Sequence, residues 1–413
     1  MSRWQWVVRL LARRMWFRAA LFCLFAVVLA LAGALIGHAI SYQFAARIGA
    51  KSVDHILNVL ASSMLAVTTF SLTAMVSAYS AATSNITPRA VQLLIDDTTA
   101  QNALATFLGS FLFAIVGIIA LSTGAYGDTG RVILYIGTIV VIVVIVVTFL
   151  RWIEHIARFG RVSDTIDRVE KAATGATGTM AQPPLFGTRA SPSMPDGATM
   201  VHHEKIGRVT HIDVTALGEL AEDIGVAVNV LALPGSRVDP ARPVGWTATS
   251  LDDAQQRRFR NAFTLAHGRA FDQDPRFGLV VLSEIASRAL SPAVNDPGTA
   301  IRVLESGTRV LSAIIEHDAD DDALPDGVTL PPVTFAELLT DLYRPIARDG
   351  AAMIEVAIGL QKSLAAVAAI TPAARPECRR EAADAHARAQ EALSSAADRT
   401  ALERVYHRYW TAD

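Results

Sequence analysis

Residues 132–150 read Val-Ile-Leu-Tyr-Ile-Gly-Thr-Ile-Val-Val-Ile-Val-Val-Ile-Val-Val-Thr-Phe-Leu, a run of 19 residues without a charged side chain. A helix needs about 20 apolar residues to cross the ~30 Å hydrocarbon core of a bilayer. Three more apolar runs precede this one, at residues 16–40, 57–82 and 103–125. Because a helix satisfies its backbone hydrogen bonds internally in lipid, the sequence predicts four membrane-spanning helices within residues 1–171.

The composition divides the chain into two halves of opposite charge. The 413 residues are 52% hydrophobic and 18% charged, whereas a soluble domain is typically about 25% charged. Residues 1–171 carry a net charge of +6 and residues 172–413 one of −8, which sum to the −2 of the chain. This pattern excludes a purely soluble protein, a disordered chain and a nucleic-acid binder by bulk charge, and it makes the lipid bilayer the expected partner.

Lysine and arginine placement predicts the orientation in the membrane. Four arginines precede the first run and Arg18 lies near its start, and a second basic group follows the fourth run, from Arg151 to Lys171. The 25-residue apolar stretch at 16–40 exceeds the 7–15 residues of a signal-peptide core, so we expect a retained anchor. The sequence therefore predicts a multi-pass protein of the bacterial inner (plasma) membrane with both termini in the cytoplasm.

The second run carries a polar stripe. At 100° per residue, one arc of about 100° on this helix collects small and polar side chains along its whole length. They are Asn58, Ser62, Ala66, Thr69, Thr73, Ser77, Ser80 and Ser84. Two interpretations remain open: a close helix–helix interface, in which hydroxyl groups bond across helices, or the wall of a water-filled path repeated around a homo-oligomer.

The C-terminal half begins with a Gly-, Pro- and Ala-rich segment at residues 172–200, which predicts a flexible linker. Residues 201–250 predict a small mixed α/β unit, with strands at 206–212 and 226–233 around a helix at 214–223. Residues 251–413 predict a mainly helical domain, with helices at 252–270, 276–289, 299–316, 334–347, 350–368 and 377–397. The fold class is thus mostly α, a four-span membrane domain followed by a cytoplasmic α+β domain.

Two loops of this half concentrate polar chemistry. They contain Arg269, Asp272 and Asp274 in the first, and Asn295 and Asp296 in the second. Aspartates before proline are typical of helix N-caps, which is the structural interpretation. The alternative is a polar site in which the loops converge on a cation or on an arginine. The two cysteines, Cys23 and Cys378, cannot form a cysteine-based metal site, and we expect no metal and no cofactor.

Several of these motifs resemble one bacterial family. They are Ala289-Leu-Ser-Pro-Ala-Val-Asn-Asp-Pro-Gly-Thr-Ala300, Asp272-Gln-Asp-Pro275, Phe70-Ser71, Thr87-Pro88-Arg89 and His155-Ile-Ala157. In these stretches the chain is similar to the predicted membrane proteins grouped as domain of unknown function 2254. The resemblance implies a multi-span N-terminal half and a cytoplasmic C-terminal half, and it implies no established activity.

Three classes of function are weighed against these patterns: an enzyme, a channel-like path, and a non-conducting scaffold or sensor. The chain contains no nucleophile elbow, phosphate-binding loop or zinc-protease motif, so we expect no enzyme. The second run has no acidic or basic residue between Ile56 and Ser84, which disfavours a proton relay. We therefore expect an oligomeric channel-like path for ions or small solutes, with a regulatory cytoplasmic half. The alternative is a non-conducting scaffold or sensor that assembles through the same stripe.

Overall fold

The protein is described by a computed structural model, which covers residues 17, 19–25, 27–28, 50–123, 128–177, 193–317 and 324–411. These residues form two compact units. The membrane unit comprises the described residues up to Ser84 together with Val91–Arg161. The second unit comprises Asn85–Ala90 and the described residues from Val162 onward.

The membrane unit contains three helices that are long and apolar enough to cross a bilayer. Their spanning stretches are Val53–Ala81, Thr98–Ser122 and Gly130–Arg158. The helices that carry them, with the short helix between the first two, are α1 (Ala50–Asn85), α2 (Pro88–Ile95), α3 (Thr98–Ser122) and α4 (Asp128–Arg158). The second, third and fourth predicted spans are confirmed as long apolar helices. The first, at 16–40, lies mostly outside the described residues; those described within it are helical.

The helices are longer than the apolar runs that predict them. Helix α1 has 36 residues, about 54 Å at ~1.5 Å per residue, against ~30 Å of hydrocarbon. Helix α4 continues past the predicted end at Leu150 through Arg151, Glu154 and Arg158. These added turns bear charged side chains, which suits helix ends that leave the hydrocarbon.

One face of each long helix builds the core of the membrane unit. Helix α1 contributes a buried row at helical spacing, which includes Leu57, Leu60 and Met64. Gly117 of α3 permits close packing, because a side chain there would stand 3.1 Å from a methyl group of Leu57. Helix α3 is buried over most of its length, so it is the central helix of the described membrane unit.

The second unit opens with a helix that continues the chain after α4 and then alternates strands with helices. Its helices are α5 (Val162–Thr177), α6 (Val214–Ile224), α7 (Asp253–Asn261), α8 (Pro275–Ala289), α9 (Pro297–Glu316), α10 (Phe335–Asp349), α11 (Ile354–Ile370), α12 (Arg375–Ala392) and α13 (Ala396–Trp410), with a 3₁₀ turn at Pro372–Ala374. Its strands are β1 (Thr199–His202), β2 (Gly207–Ile212), β3 (Val228–Val230), β4 (Arg237–Val238), β5 (Pro243–Thr247), β6 (Phe263–Ala266) and β7 (Val328–Thr329).

The strands form two small sheets. One has the order β1-β5-β3-β7, antiparallel except for the parallel pair of β3 and β7, and the other has the order β4-β2-β6. Strand β2 pairs with β6 antiparallel, with a bulge between Val209 and His211. A common apolar core lies under the sheets and helices α6 and α7, built around Leu217, Val228 and Phe259. Strands β6 and β7 thus lie beyond residue 250, in the segment predicted to be mainly helical.

Three sequence predictions need correction here. The predicted helix at 252–270 ends at Asn261, because Phe263–Ala266 pairs with β2 and contributes Phe263 to the core. The predicted linker from residue 172 begins later, since α5 runs to Thr177 and buries Ala173 and Ala176. Residues 178–192 of that linker lie outside the described residues. The last helix, α13, was not predicted, although Leu402 and Trp410 are buried.

Candidate functional site

The polar stripe of α1 lies on the exposed side of the helix. Every member whose side chain is described is exposed in the monomer: Asn58, Ser62, Ala66, Thr69, Thr73, Ser77 and Ser80. The side chain of Ser84 lies outside the described residues. The apolar row of α1 that is buried, from Val53 to Met75, occupies the other side. Among the described residues, the stripe is therefore not part of the packing within one chain.

The side chains of the stripe are bonded to their own helix. The hydroxyl groups of Ser62, Thr69 and Thr73 donate to the carbonyl oxygens four residues earlier, each over 3.0 Å, and the Asn58 amide donates likewise over 2.9 Å. This back-bonding satisfies the donors without a partner helix. The oxygen lone pairs of these hydroxyl groups remain to accept hydrogen bonds or to face a cation.

The start of α3 and the last turns of α4 hold a buried pair of ionisable side chains. Asp97 caps α3 by accepting a hydrogen bond from the Ala100 amide over 2.8 Å. Its Oδ1 lies 3.2 Å from Nε2 of His155 on α4, and the His155 ring lies between those of Trp152 and Phe159. Asp97 therefore caps α3 and lies in close contact with the His155 ring inside the protein. The sequence motif His155-Ile-Ala157 gives no indication of this pair, because its partner lies 58 residues earlier.

Most residues of the predicted polar site in the second unit make contacts that stabilise the fold. Arg269 donates two hydrogen bonds to Asp274, over 2.7 and 2.8 Å, and its guanidinium lies 5.1 Å from the ring centre of Phe277. Asp274 also caps α8 by accepting from the Phe277 amide over 3.1 Å, and it is only 2% exposed. Burial raises the pKa of Asp274 even though the guanidinium opposes that rise.

Gly235 follows Pro234 in a turn that packs against this pair. Its φ of +87° is left-handed, and a Cβ atom there would stand 2.3 Å from Oδ2 of Asp274 and 2.9 Å from Nε of Arg269. Its carbonyl accepts a hydrogen bond from Arg208 over 2.8 Å. A glycine is therefore required both for the backbone conformation and for the close approach to the ion pair.

The second predicted loop caps a different helix. Asp296 caps α9, accepting from the amide of Thr299 over 3.1 Å and from its hydroxyl over 2.6 Å. These bonds lower the pKa of Asp296. Asn295 has a φ of +52° and is exposed, as the turn before the cap requires. The structural interpretation thus accounts for Asp274, Asn295 and Asp296. The described part of the chain contains no cluster of three or more His, Cys, Asp or Glu side chains that could hold a metal ion.

Asp272 lies near a buried histidine. His211 of β2 is 1% exposed, and burial lowers its pKa, while the charges of Asp213 and Asp272 oppose that change. The backbone amide of Ile212 next to it donates to Gln273 over 3.0 Å. The segment Asp272–Asp274 therefore both faces the edge of the β2 strand and caps α8, which explains its density of polar residues.

Ion pairs that the sequence did not indicate hold α5 to α9. Glu170 accepts two hydrogen bonds from Arg309 and one from Ser306, all over 2.7 Å, and Asp167 pairs with Arg302 over 2.9 Å. These residues are more than 130 positions apart, so no local spacing could have predicted them. They make α5, which directly follows the last membrane helix along the chain, an integral helix of the second unit.

A third contact joins the motif Thr87-Pro88-Arg89 to α8. The hydroxyl of Thr87 donates to Glu284 over 3.0 Å, and the Arg89 guanidinium pairs with the same carboxylate. Thr87 is 5% exposed. The sequence singled out this motif only for its resemblance to the bacterial family, and Glu284 was not singled out.

These features define a multi-pass helical membrane protein with a large mixed α/β and helical second unit. The chain belongs to the family described as predicted membrane protein (DUF2254), whose model matches residues 12–366. Two uncharacterized proteins, one from Mycobacterium bovis and one from Mycobacterium tuberculosis, are each 32% identical to it over 189 residues. That match covers 43% of this chain and only 36% of each relative, and no solved structure matches the chain.

Proposed function

We propose that this protein is a channel-like, passive path for ions or small solutes in the bacterial inner membrane. In this proposal α1, the second predicted span, lines the path in a homo-oligomer, and the second unit is cytoplasmic and regulates it. The protein would act by conduction and not as an enzyme. Both termini would be cytoplasmic, since the basic residues from Arg151 to Lys171 follow the last span.

The exposure of the stripe carries this proposal. The described stripe side chains are exposed in the monomer, while the opposite row of α1 is buried against α3 and α4. Exposed apolar side chains such as Val59 and Val76 lie on the same side of α1, but a row of polar side chains facing lipid is still less favourable than a wholly apolar surface. Water or a second copy of the chain is therefore a better neighbour for this surface than hydrocarbon.

The orientation of the hydroxyl groups favours cations. The donors of Ser62, Thr69 and Thr73 are used by carbonyl oxygens of α1 itself. What such a wall offers to the path is oxygen lone pairs, which replace water around a cation better than around an anion. No acidic or basic side chain interrupts the stripe from Ser62 to Ser80, so permeating ions would meet no fixed charge there.

A second candidate function is a non-conducting scaffold that assembles through the stripe. The back-bonding satisfies the hydroxyl donors of Ser62, Thr69 and Thr73, so these positions can pack dry against another copy. Small side chains such as Ala66 and Ser80 would then allow close approach of two helices. The two functions differ in whether the assembled stripe contains water.

Ion flux in liposomes tests the proposal. Purified protein would be reconstituted, and potassium and chloride flux measured for the wild type, Thr73→Val, Thr73→Leu and Ser77→Leu. Thr73→Val removes only the hydroxyl oxygen, whereas the leucine variants also add apolar bulk. Thr148→Leu on α4 is the matched control, because it makes the same exchange on another spanning helix.

The channel predicts potassium flux in the wild type, a marked reduction in Thr73→Val, loss in both leucine variants, and wild-type flux in Thr148→Leu. The oligomeric state in detergent should be unchanged throughout. Absence of flux in every protein, with leucine variants that dissociate, would contradict conduction and favour the scaffold. Flux that all stripe variants retain would place the path elsewhere.

A further inference from the structure

A cleft lies between helices α5 and α9 of the second unit. Its volume is about 430 Å³. Small-molecule sites typically enclose about 300–1,000 Å³, so the cleft is large enough for a small metabolite. The lining residues are Asp167, Glu170, Lys171, Thr174 and Gly175 of α5 and Arg309 of α9. All of them lie in the second unit, so the cleft depends on the contacts of that unit alone.

The acidic side chains of the cleft are each held by an arginine of α9. Glu170 accepts two hydrogen bonds from Arg309, both over 2.7 Å, and Asp167 accepts from Arg302 over 2.9 and 3.2 Å. Glu305 is a further acid near Arg309, and it is exposed to solvent, which screens its charge. An incoming anion would therefore meet acids whose charge is already balanced or screened.

Two cationic groups of the cleft can still donate hydrogen bonds. Lys171 follows Asp167 by one helical turn, yet within the part of the chain that the structure describes its ammonium has no carboxylate as counter-ion. Arg309 uses Nε and Nη2 for Glu170 and Ser306, and its Nη1 donates to no group among the described residues. An anion that accepts from both groups would gain charge-assisted hydrogen bonds.

The rest of the cleft offers space and neutral polar contacts. No atom lies within 4 Å of the position that a Cβ would occupy at Gly175, so the cleft is open there. Thr174 is exposed beside it and carries a hydroxyl group. The carboxylate oxygens of Asp167 and Glu170 each have more than one lone pair, so they can accept hydroxyl groups of a ligand in addition to their arginines.

We propose that this cleft binds a small phosphorylated polyol. Lys171 and Arg309 would bind the phosphate, whose oxygens accept from both cations. Thr174 and the carboxylate of Asp167 would bind the hydroxyl groups. Soluble glycerol 3-phosphate and the phosphoglycerol headgroup of a lipid both carry this chemistry. The site goes beyond the proposed conduction and does not depend on it.

Lysine labelling of the full chain in nanodiscs tests the site. The chain has only three lysines besides Lys171, at 51, 205 and 362, so mass spectrometry can follow each one after treatment with an amine-acylating reagent. Lys362 is exposed on α11 and serves as the internal control. A ligand at ten times its dissociation constant leaves about one site in ten free. Glycerol 3-phosphate should therefore slow the labelling of Lys171 about tenfold and that of Lys362 not at all, and glycerol should protect neither.

Two variants separate the cleft from a general charge effect. Gly175→Leu fills the open part of the cleft without removing a charge, and leucine is a better helix former than glycine, so the fold should be kept. Gly268→Leu is its matched control, because Gly268 also has no atom within 4 Å of its Cβ position. We expect Gly175→Leu to abolish the protection and Gly268→Leu to retain it. Arg309→Gln should weaken binding about tenfold, because it removes a charge-assisted hydrogen bond.

The outcomes decide both the site and the source of its ligand. Labelling of Lys171 that glycerol 3-phosphate does not slow, or protection that persists in Gly175→Leu, would overturn the site. Equal protection by inorganic phosphate at the same concentration would refute the polyol. Protection of Lys171 in nanodiscs that contain phosphatidylglycerol, but not in phosphatidylcholine alone, would identify a lipid headgroup as the ligand. Equal labelling in both membranes, with protection by glycerol 3-phosphate, would identify a soluble one.

Discussion

The buried ion pair between Arg269 and Asp274 yields the most quantitative prediction. Replacing Asp274 by alanine removes both acceptors of the Arg269 guanidinium, at 2.7 and 2.8 Å, and the cap of α8 at 3.1 Å. The carboxylate is 2% exposed, and the Arg269 side chain is 21% exposed. The variant therefore leaves a mostly buried guanidinium without its counter-ion and a helix without its cap.

Removing one member of a buried ion pair lowers the free energy of unfolding by about 3–5 kcal/mol. Losing an aspartate cap lowers it by about 1 kcal/mol. Partial exposure lets water reach Arg269, so we expect Asp274→Ala to lower the free energy of unfolding by about 3 kcal/mol in total. Asp274→Asn keeps the cap acceptor, and about half of that cost is expected. Removing both members of a buried ion pair leaves no uncompensated charge, so it costs less stability than removing one member. The double variant Arg269→Met with Asp274→Asn should therefore be more stable than Asp274→Ala.

Hydrogen exchange of the full chain in nanodiscs measures this cost, because it gives free energies of opening for separate peptides without requiring two-state unfolding. Peptides from β2, β6 and α8 should lose about 3 kcal/mol of protection in Asp274→Ala, while peptides from α3 and α4 stay unchanged. A loss below about 1 kcal/mol, or a double variant less stable than the single one, would refute the structural role assigned to this pair.

Three further variants or conditions test other parts of the fold. Gly278→Ala places a Cβ 2.2 Å from the Cβ of Ala173, so we expect overpacking to cost about 1–3 kcal/mol, seen as faster exchange in α5; unchanged exchange would contradict this packing. Asp296→Ala removes the cap of α9 and should cost about 1 kcal/mol in α9 peptides, with Asp296→Asn as the milder control; equal costs for the two would argue against capping. Burial lowers the pKa of His211 below that of the unfolded chain, so the unfolded chain binds more protons and stability should fall as pH drops below about 6.5. His211→Gln should flatten that dependence in peptides around β2, and a profile that stays the same would assign it to another group.

The membrane helices are predictable because one physical requirement dominates them. An uncharged run such as 132–150 must be helical in lipid, and periodicity then fixes which side of α1 is apolar. A rotation of 100° per residue is enough to put Ser62, Thr73 and Ser80 on one side of α1, and that side is the exposed one. The helix ends were predicted too short, because hydropathy does not register charged turns beyond the hydrocarbon.

The second unit is less predictable because its strands depend on distant partners. Phe263–Ala266 directly follows helix α7 and resembles its continuation in sequence. It is a strand because it pairs with β2, which lies some 50 residues earlier. Capping chemistry, by contrast, is local, and of the two interpretations left open for the aspartates before Pro275 and Pro297, the structure shows the caps. Glu284 carries no local signal at all, because its partners lie almost 200 residues away.

Whether the stripe contains water in the assembled protein is the central question, and cysteine accessibility answers it directly. Single cysteines would be placed at Ser62, Thr69, Thr73 and Ser77 in a chain lacking Cys23 and Cys378, with Leu72 as the exposed apolar control on the same helix. In liposomes, the channel predicts rapid modification of the four stripe positions by a small charged thiol reagent and none at position 72. Four unreactive stripe positions that instead form disulfides between copies would show a dry seam and contradict the account.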